Sequence, residues 1–399
     1  MNRFALPQTL RQSWTWPELG MLDRGLLFSA LLLTTWGLVM VASSSIAVAE
    51  RQTGELFYYF YRQLAFAGGG LLMGVGLFQI PLIVWQESRF LLLAAAIVLL
   101  LAVFVPGVGR EVNGAQRWLS FGPINVQASE PARLCLIGYL ASYLVARRAE
   151  FTLNFAGLIK PVVPIVLACG LLIMQPDFGA TVVLLAVTLI LMFLAGARLV
   201  YVAGAIGGAV AALALLAVTS PYRMRRLVSF TDPWQDPYDS GFQLSQALIA
   251  IGRGEWSGVG LGNSIQKLLY LPETHTDFLF AVLAEEFGLV GSLLLLLLFA
   301  WLIRSGFAIG ARARNAQQPF GAYLAYGLTS WIGLQALVNI GVNMGLLPTK
   351  GLTLPLMSYG GSSLMVMCMA VALILRVDYE AIHVLPPRPL PQHPPEPRP

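Results

Sequence analysis

The feature that most limits what this chain can fold into is the recurrence, along 399 residues, of apolar runs long enough to cross a bilayer, LVGSLLLLLLFAWLI at 289–303 being the most extreme. A backbone placed in hydrocarbon has to satisfy its own hydrogen bonds, and a helix of about 20 residues does so at the length a membrane requires. Runs near 25–43, 64–85, 90–105, 131–146, 157–174, 179–196, 199–220, 278–303, 320–342 and 359–376 predict ten such helices. The expected fold class is therefore all-α, a polytopic membrane bundle. With 57% hydrophobic and 11% charged residues, the composition excludes a water-facing single core and offers no basic surface for nucleic acid.

No small-residue cleavage pattern follows the first run, which is read as a retained helix rather than a removed signal. Cys135, Cys169 and Cys368 all lie within apolar runs and imply neither a disulfide nor a metal framework. An even number of spans puts both termini on one face. Arginines such as Arg89, Arg147, Arg198, Arg304, Arg312 and Arg314 gather in the connections on the N-terminal side, so that side is read as cytoplasmic. Three parts follow: a cytoplasmic leader at 1–20, a membrane domain at 21–376 and a cytoplasmic tail at 377–399. The tail contains LPPRPLPQHPPEPRP and reads as extended polyproline II chain, either a bare disordered end or a segment for a proline-reading partner.

On the outer face, a connection at 220–277 between spans seven and eight is far longer than joining two helices demands, and such loops carry function or are disordered. Aromatic anchors and Asp-Pro turns in FTDPWQDP, then helical spacing in GFQLSQALIAI at 241–251, argue for order. The glycine-dense GRGEWSGVGLG at 252–262 lacks the strand-to-helix setting of a phosphate loop, and its glycines are expected to let the backbone fold tightly against the membrane face.

The loop ends in LPETHTDFLF at 271–280, a cluster of polar groups just ahead of the eighth span. Asp277 has two readings that are not exclusive. As an N-cap its carboxylate would accept orphan N–H groups of the following helix. As a general base at the membrane surface it would take a proton from substrate. His275, beside Glu273 and Asp277, lacks the ligand spacing of zinc. A hard divalent cation such as Mg2+, held by carboxylates and a substrate phosphate, stays open as a cofactor. Glu285 and Glu286 fall within the span, where carboxyls point to function by default, or else are neutral or paired with a cation such as Lys160 or Arg133.

Four further outer motifs add charge. In QASEPARL at 127–134, Ser129 is a candidate cap, and Glu130 and Arg133 share one helix face, as a local ion pair or as a headgroup ligand and its orienter. NGAQRWL carries Arg117 and QPDFG carries Asp177, each beside turn residues. In NMGLLPTKGLTLPLMSYGGSS at 343–363, Pro348, Gly351 and Pro355 break any helix, which suggests a re-entrant segment before the last span that aims Lys350 into a cavity; a lone snorkelling lysine is the plainer reading.

Taken together and in order, these motifs resemble the SEDS family (shape, elongation, division, sporulation) of bacterial cell-wall polymerases, from span one through Arg376. DPW, the Gln266-Lys267 pair, Tyr270 before LPE, and PTKG are similar to its division-type rather than its elongation-type member. The resemblance implies a ten-helix glycosyltransferase of the bacterial inner membrane, at the division septum, polymerising the peptidoglycan precursor lipid II into glycan strands outside the membrane. It also implies a class B penicillin-binding protein transpeptidase and other division proteins as partners, besides the surrounding membrane lipids. The family's essential aspartate falls on Asp277, and its QPSE-x-x-K element on Gln127, Ala128, Ser129, Glu130 and Arg133, with Ala128 for Pro and Arg133 for Lys. Arginine keeps the charge but not the compact ammonium. A lipid diphosphate is a good leaving group, so one base and some cations suffice: Asp277 for the acceptor hydroxyl, and Arg133, Lys350 or a bound magnesium for the diphosphate. Arg117, Arg223, Arg225 and Arg226 are further candidates. Glu273, Glu130 and His275 complete the expected substrate-binding set. The competing readings are a flippase for lipid II, which the intramembrane glutamates would suit, and a scaffold without catalysis.

Overall fold

The computed structural model of the protein describes residues 22–112, 114–122, 124–147, 155–218, 224, 230–239, 241–268, 270–348 and 351–383. The leader at 1–20, the tail beyond 383, Lys350 and Arg223, Arg225 and Arg226 lie outside the described residues.

Every apolar run of the sequence falls on a helix. In chain order these are α1 (Arg24–Thr53), α2 (Tyr58–Phe78), α3 (Leu82–Glu87), α4 (Arg89–Ala102), α5 (Ser129–Ala146), α6 (Phe155–Met174), α7 (Phe178–Leu194), α8 (Leu199–Val218), α9 (Phe242–Gly254), α10 (Leu279–Asn315), α11 (Pro319–Asn343) and α12 (Gly361–His383). Length and composition alone make α1, α10 and α12 capable of crossing a membrane. The axis of the bundle is α11, whose Ala325, Leu328, Trp331 and Ile332 are wholly buried among α5, α7, α10 and α12. Between helices in lipid there is little hydrophobic drive, and small residues that let backbones approach take its place. So Gly70 and Gly74 of α2 face Met365, Cys368 and Ala372 of α12, where a Cβ at Gly70 would lie 3.0 Å from the Met365 Cα.

The fold departs from the all-α expectation at one place. Between α4 and α5 the chain forms a three-stranded antiparallel sheet, β1 (Gly109–Val112), β2 (Ala115–Phe121) and β3 (Ile124–Gln127), in the order β1-β2-β3. Leu119 opposes Gly109 on one side and Val126 on the other, and packs with Val103 and Ala128 as a small apolar cluster. The segment read as turns at a membrane edge is thus a sheet capping the ends of α4 and α5.

Three helices depart from their expected bounds. Span two is divided, because Pro81 has no N–H to continue α2 and instead opens α3. The last helix runs to His383 rather than ending at 376, because Arg376 bonds Glu380 and the Phe78 carbonyl, while Asp378 pairs with Arg312. Arg312 also pairs with Asp23, the N-cap of α1, so α1, α10 and α12 are tied together at one end of the bundle.

The third departure is a break inside α10. Gly288 has φ 65° and ψ −159°, which separates a short helical piece, 279–287, from the long apolar remainder. The glycine-dense segment after α9 fills the break: Val259 and Gly260 N–H donate to the carbonyls of Glu285 and Glu286, and Leu289 and Val290 N–H donate to those of Glu255 and Trp256. A Cβ at Gly258 would sit 2.1 Å from the Glu286 oxygen, and one at Gly254 1.9 Å from the Ala284 oxygen, so only glycine fits. The expected tight backbone approach is real, but its partner is the broken helix.

Candidate functional site

The PETHTD segment is a compact turn held to two helices. Glu273 takes the left-handed φ of 55°, its carbonyl accepts from the N–H groups of Thr276 and Phe278, and its carboxylate accepts from the Thr276 hydroxyl at 2.7 Å. Thr274 is fully buried and donates to the Ser44 carbonyl of α1. The His275 ring lies 4.7 Å from that of Tyr59 on α2 and 5.4 Å from that of Tyr359, and its carbonyl accepts from Tyr359 N–H at 2.7 Å. Burial pushes the His275 imidazole below its ordinary pKa, with Glu273 opposing, so the ring is neutral at physiological pH.

Asp277 is half-buried at the end of this turn. It is not the N-cap that one reading expected: Phe278 occupies that position, and Ala281 N–H donates to Asn343 Oδ1 of α11. The carboxylate is directed elsewhere, for a Cβ at Gly351 would stand 3.1 Å from Asp277 Oδ2. The main-chain carbonyl of Asp277 accepts from Asn339 Nδ2 at 2.9 Å and Asn343 Nδ2 at 3.0 Å.

Residues 351–360 opposite Asp277 form no helix, yet Leu352, Leu354, Leu356 and Met357 are buried. Irregular backbone at such a position needs partners within the protein. Asn339 Nδ2 donates to the Leu352 carbonyl at 2.6 Å, Gln335 Nε2 to the Thr353 carbonyl at 3.1 Å, and Gln63 Nε2 to the Ser358 carbonyl at 3.0 Å.

Gln335 also connects this segment to the 127–133 motif. Its Oε1 accepts from Arg133 Nη1 at 2.8 Å and from Trp331 Nε1 at 2.9 Å, and the Arg133 guanidinium lies over the Trp331 ring at 5.0 Å. Arg133 pairs with Glu130 and donates to the Ser129 carbonyl, and both charged side chains are 2% exposed or less. The arrangement is the local ion pair, buried and shared with α11. Ser129 does not cap α5: its hydroxyl donates to Asp177 Oδ2, which also accepts from Gln127, while Asp177 Oδ1 caps α7 through Ala180 N–H. Arg117 of β2 donates to the carbonyls of Gln175 and Pro176 and so fixes the turn that carries Asp177.

Glu285 and Glu286 are 0% and 1% exposed, and their partners are neither Lys160 nor Arg133. Glu285 accepts from Arg253 Nη1, the Ser264 hydroxyl and the N–H groups of Ile265 and Gln266. Glu286 accepts from Lys267 Nζ at 2.8 Å and the Ser43 hydroxyl at 2.7 Å. Both acids fasten the 253–267 segment to the short piece of α10.

The structure therefore brings Glu273, His275 and Asp277 into one turn, and links Glu130 and Arg133 to the segment facing that turn through Gln335. Arg117 stands further back, holding the turn behind Ser129. Asn339, Asn343 and Gln335 are the site residues the sequence reading passed over. The signal available for them was a row of amides at helical spacing on α11, an otherwise apolar helix. Among the described residues no three His, Cys, Asp or Glu side chains converge as a metal site.

The family model for cell cycle proteins of the FtsW, RodA and SpoVE type matches residues 24–383. A Thioalkalivibrio sulfidiphilus protein named "Probable peptidoglycan glycosyltransferase FtsW" is 55% identical over 361 residues, covering 90% of this chain and 90% of its own length. A Hahella chejuensis protein of the same name is 52% identical over 361 residues, 90% of this chain and 91% of that one. Among solved structures, a chain from work described as "Structural coordination of polymerization and crosslinking by a peptidoglycan synthase complex" matches with TM-score 0.74 and 31% identity, over 91% of this chain and 99% of that chain. The Thermus thermophilus rod shape determining protein RodA matches with TM-score 0.68 and 28% identity, over 91% and 99%.

Proposed function

We propose a function from one premise: the chain belongs to the FtsW, RodA and SpoVE family of cell cycle proteins, whose model spans 24–383 of it. It is a peptidoglycan glycosyltransferase that polymerises lipid II into glycan strands at the division septum. The name borne by its relatives at 52–55% identity supports the activity, and the synthase complex it matches in fold supports a class B penicillin-binding protein as its transpeptidase partner. All ten apolar runs cross the inner membrane, with both termini cytoplasmic, and the PETHTD turn and the re-entrant 343–358 segment open to the outside. The bias of arginine toward one set of connections supports this orientation.

In the reaction, a hydroxyl of the acceptor sugar attacks the anomeric carbon of the donor, the bond from that carbon to the lipid diphosphate breaks, and the hydroxyl proton passes to Asp277. The observation that carries the assignment is that the Asp277 carboxylate lies against Gly351, a residue of non-helical chain, while its backbone is anchored to α11. Lys350, which adjoins Gly351 in sequence, meets the departing diphosphate. Arg133, paired with Glu130, acts on the site through Gln335, which holds the Thr353 carbonyl; Arg117 supports the rim. His275 and Glu273 line the acceptor side of the turn. A divalent cation such as Mg2+ enters this scheme only as charge carried with the diphosphate.

The flippase reading rested on membrane-embedded acids, and Glu285 and Glu286 are both occupied by loop cations. The test is conversion of lipid II to polymer by purified, reconstituted full-length protein. Wild type is expected to form strands, and Asp277→Asn to lose about 100- to 10,000-fold in kcat, the range of a missing general base. Headgroup transfer across vesicles without polymer, or a folded Asp277→Asn protein polymerising at the wild-type rate, contradicts the proposal.

A further inference from the structure

An aspartate at the tip of a long rigid helix would be placed by that helix. Asp277 has no such support, because the piece that follows it, 279–287, is cut from the rest of α10 at Gly288. What fixes the aspartate instead is a pair of amides one turn apart on α11. Asn339 and Asn343 are 2% and 0% exposed, and a buried amide on an apolar helix is costly unless its donors and acceptors are used.

Here both Nδ2 groups and the Asn343 oxygen are used, on three targets at once, and only Asn339 Oδ1 lacks a hydrogen-bond partner among the described residues. Both Nδ2 groups donate to the Asp277 carbonyl, at 2.9 and 3.0 Å. Asn343 Oδ1 accepts from Ala281 N–H at 3.2 Å, which docks the first turn of the short helix. Asn339 Nδ2 donates to the Leu352 carbonyl at 2.6 Å, which holds the chain that carries Gly351. Asn343 Nδ2 also donates to the Asn339 main-chain carbonyl at 2.8 Å, which fixes the Asn343 side chain on its own helix. One helix face thereby sets the distance between the backbone of the aspartate and the backbone its carboxylate lies against.

We propose that Asn339 and Asn343 are positioning residues for the polymerisation reaction, acting through Asp277 and the 351–353 segment without touching substrate. The inference rests on the general-base reading of Asp277. It predicts a specific kinetic pattern: the donor and acceptor still bind, but the base is displaced. A misplacement of about 1 Å can cost about 100-fold in rate.

The test uses full-length protein in lipid, with kcat and KM for lipid II, the thermal midpoint and the oligomer profile measured together. Asn339→Ala and Asn343→Ala are expected to lower kcat by about 10- to 100-fold with KM within about twofold, a split that general loosening of the bundle would not produce. Asn343→Ala also removes the contact to Ala281 and is the more exposed to misfolding. Asn339→Ala leaves that contact in place, so it carries the test by itself where the other fails to fold. A folded Asn339→Ala protein with wild-type kcat, or one whose loss lies wholly in KM, overturns the proposal. Asp277→Asn assayed alongside separates the two readings: if that variant stays active the general-base assignment fails, and if it is inactive while both asparagine variants keep their kcat, only the positioning role fails.

Discussion

The same stretch of chain holds acids of two kinds. Glu285 and Glu286 are wholly buried, and each carboxylate accepts from the 253–267 segment or from α1: Arg253, Ser264 and two backbone N–H groups for one, Lys267 and Ser43 for the other. Asp277, a few residues earlier, is half-buried and is gripped through its main-chain carbonyl, with its carboxylate turned to Gly351. A buried carboxylate whose two oxygens both accept from the protein's own donors is a fastener. Asp277 is instead placed by its backbone, which fixes where its carboxylate stands against the 351–353 chain. Depth in the apolar run, which made the two glutamates look functional, does not distinguish these cases; burial and the group by which each acid is anchored do.

The comparison can be broken first at Glu286. Glu286→Leu strands the buried Lys267 ammonium and is expected to cost about 3–5 kcal/mol of stability, while Lys267→Met with Glu286→Leu recovers most of it. Unfolding midpoints of the single and double variants read this out, and an additive double variant would refute the fastening role. Next in size is the break itself. Gly288→Ala places a Cβ 2.4 Å from the Gly258 nitrogen at a left-handed φ, for an expected loss of more than about 1–3 kcal/mol on strain alone. A variant melting with wild type would mean that the loop is not seated in α10. Arg253→Ala should lower the midpoint by less than Glu286→Leu, because its side chain is 39% exposed and Glu285 keeps its hydroxyl and backbone donors. A loss equal to that of Glu286→Leu would contradict the ranking.

The smallest effect is a pH dependence at His275. Because burial depresses its folded pKa, the unfolded chain binds a proton that the folded chain refuses. The neutral ring's contribution is full above the unfolded value of about 6.5 and is lost as pH falls below it toward the folded value. Midpoints measured across this interval should converge for wild type and His275→Gln as pH drops; parallel curves would show that the ring is not held neutral.

How much of this was legible beforehand follows from the physics each feature uses. The helices were, because the length and apolarity of a run are local properties; Pro81 and the Arg376–Glu380 pair moved only their boundaries. The sheet was missed although Asn113-Gly114, between β1 and β2, is a strong hairpin signal, because the surrounding composition argued for helices alone. Asp277, His275 and Glu273 were recognisable as a cluster within one short segment. Their supports were not: Asn339 and Asn343 are more than 60 residues away, and nothing local tells an amide that holds a base from one that joins two helices. The partners of Glu285 and Glu286 were misassigned for the same reason, since pairing across 19–32 residues depends on how the glycine segment enters the break at Gly288.

The central claim is tested most directly by measuring kcat for lipid II polymerisation per folded molecule, together with the melting midpoint, for Asp277→Asn and Glu286→Gln side by side. The account predicts that Asp277→Asn keeps its midpoint and loses its activity, whereas Glu286→Gln loses midpoint and keeps the activity of its folded fraction. The opposite pattern, an active Asp277→Asn beside a stable but inactive Glu286→Gln, would contradict it.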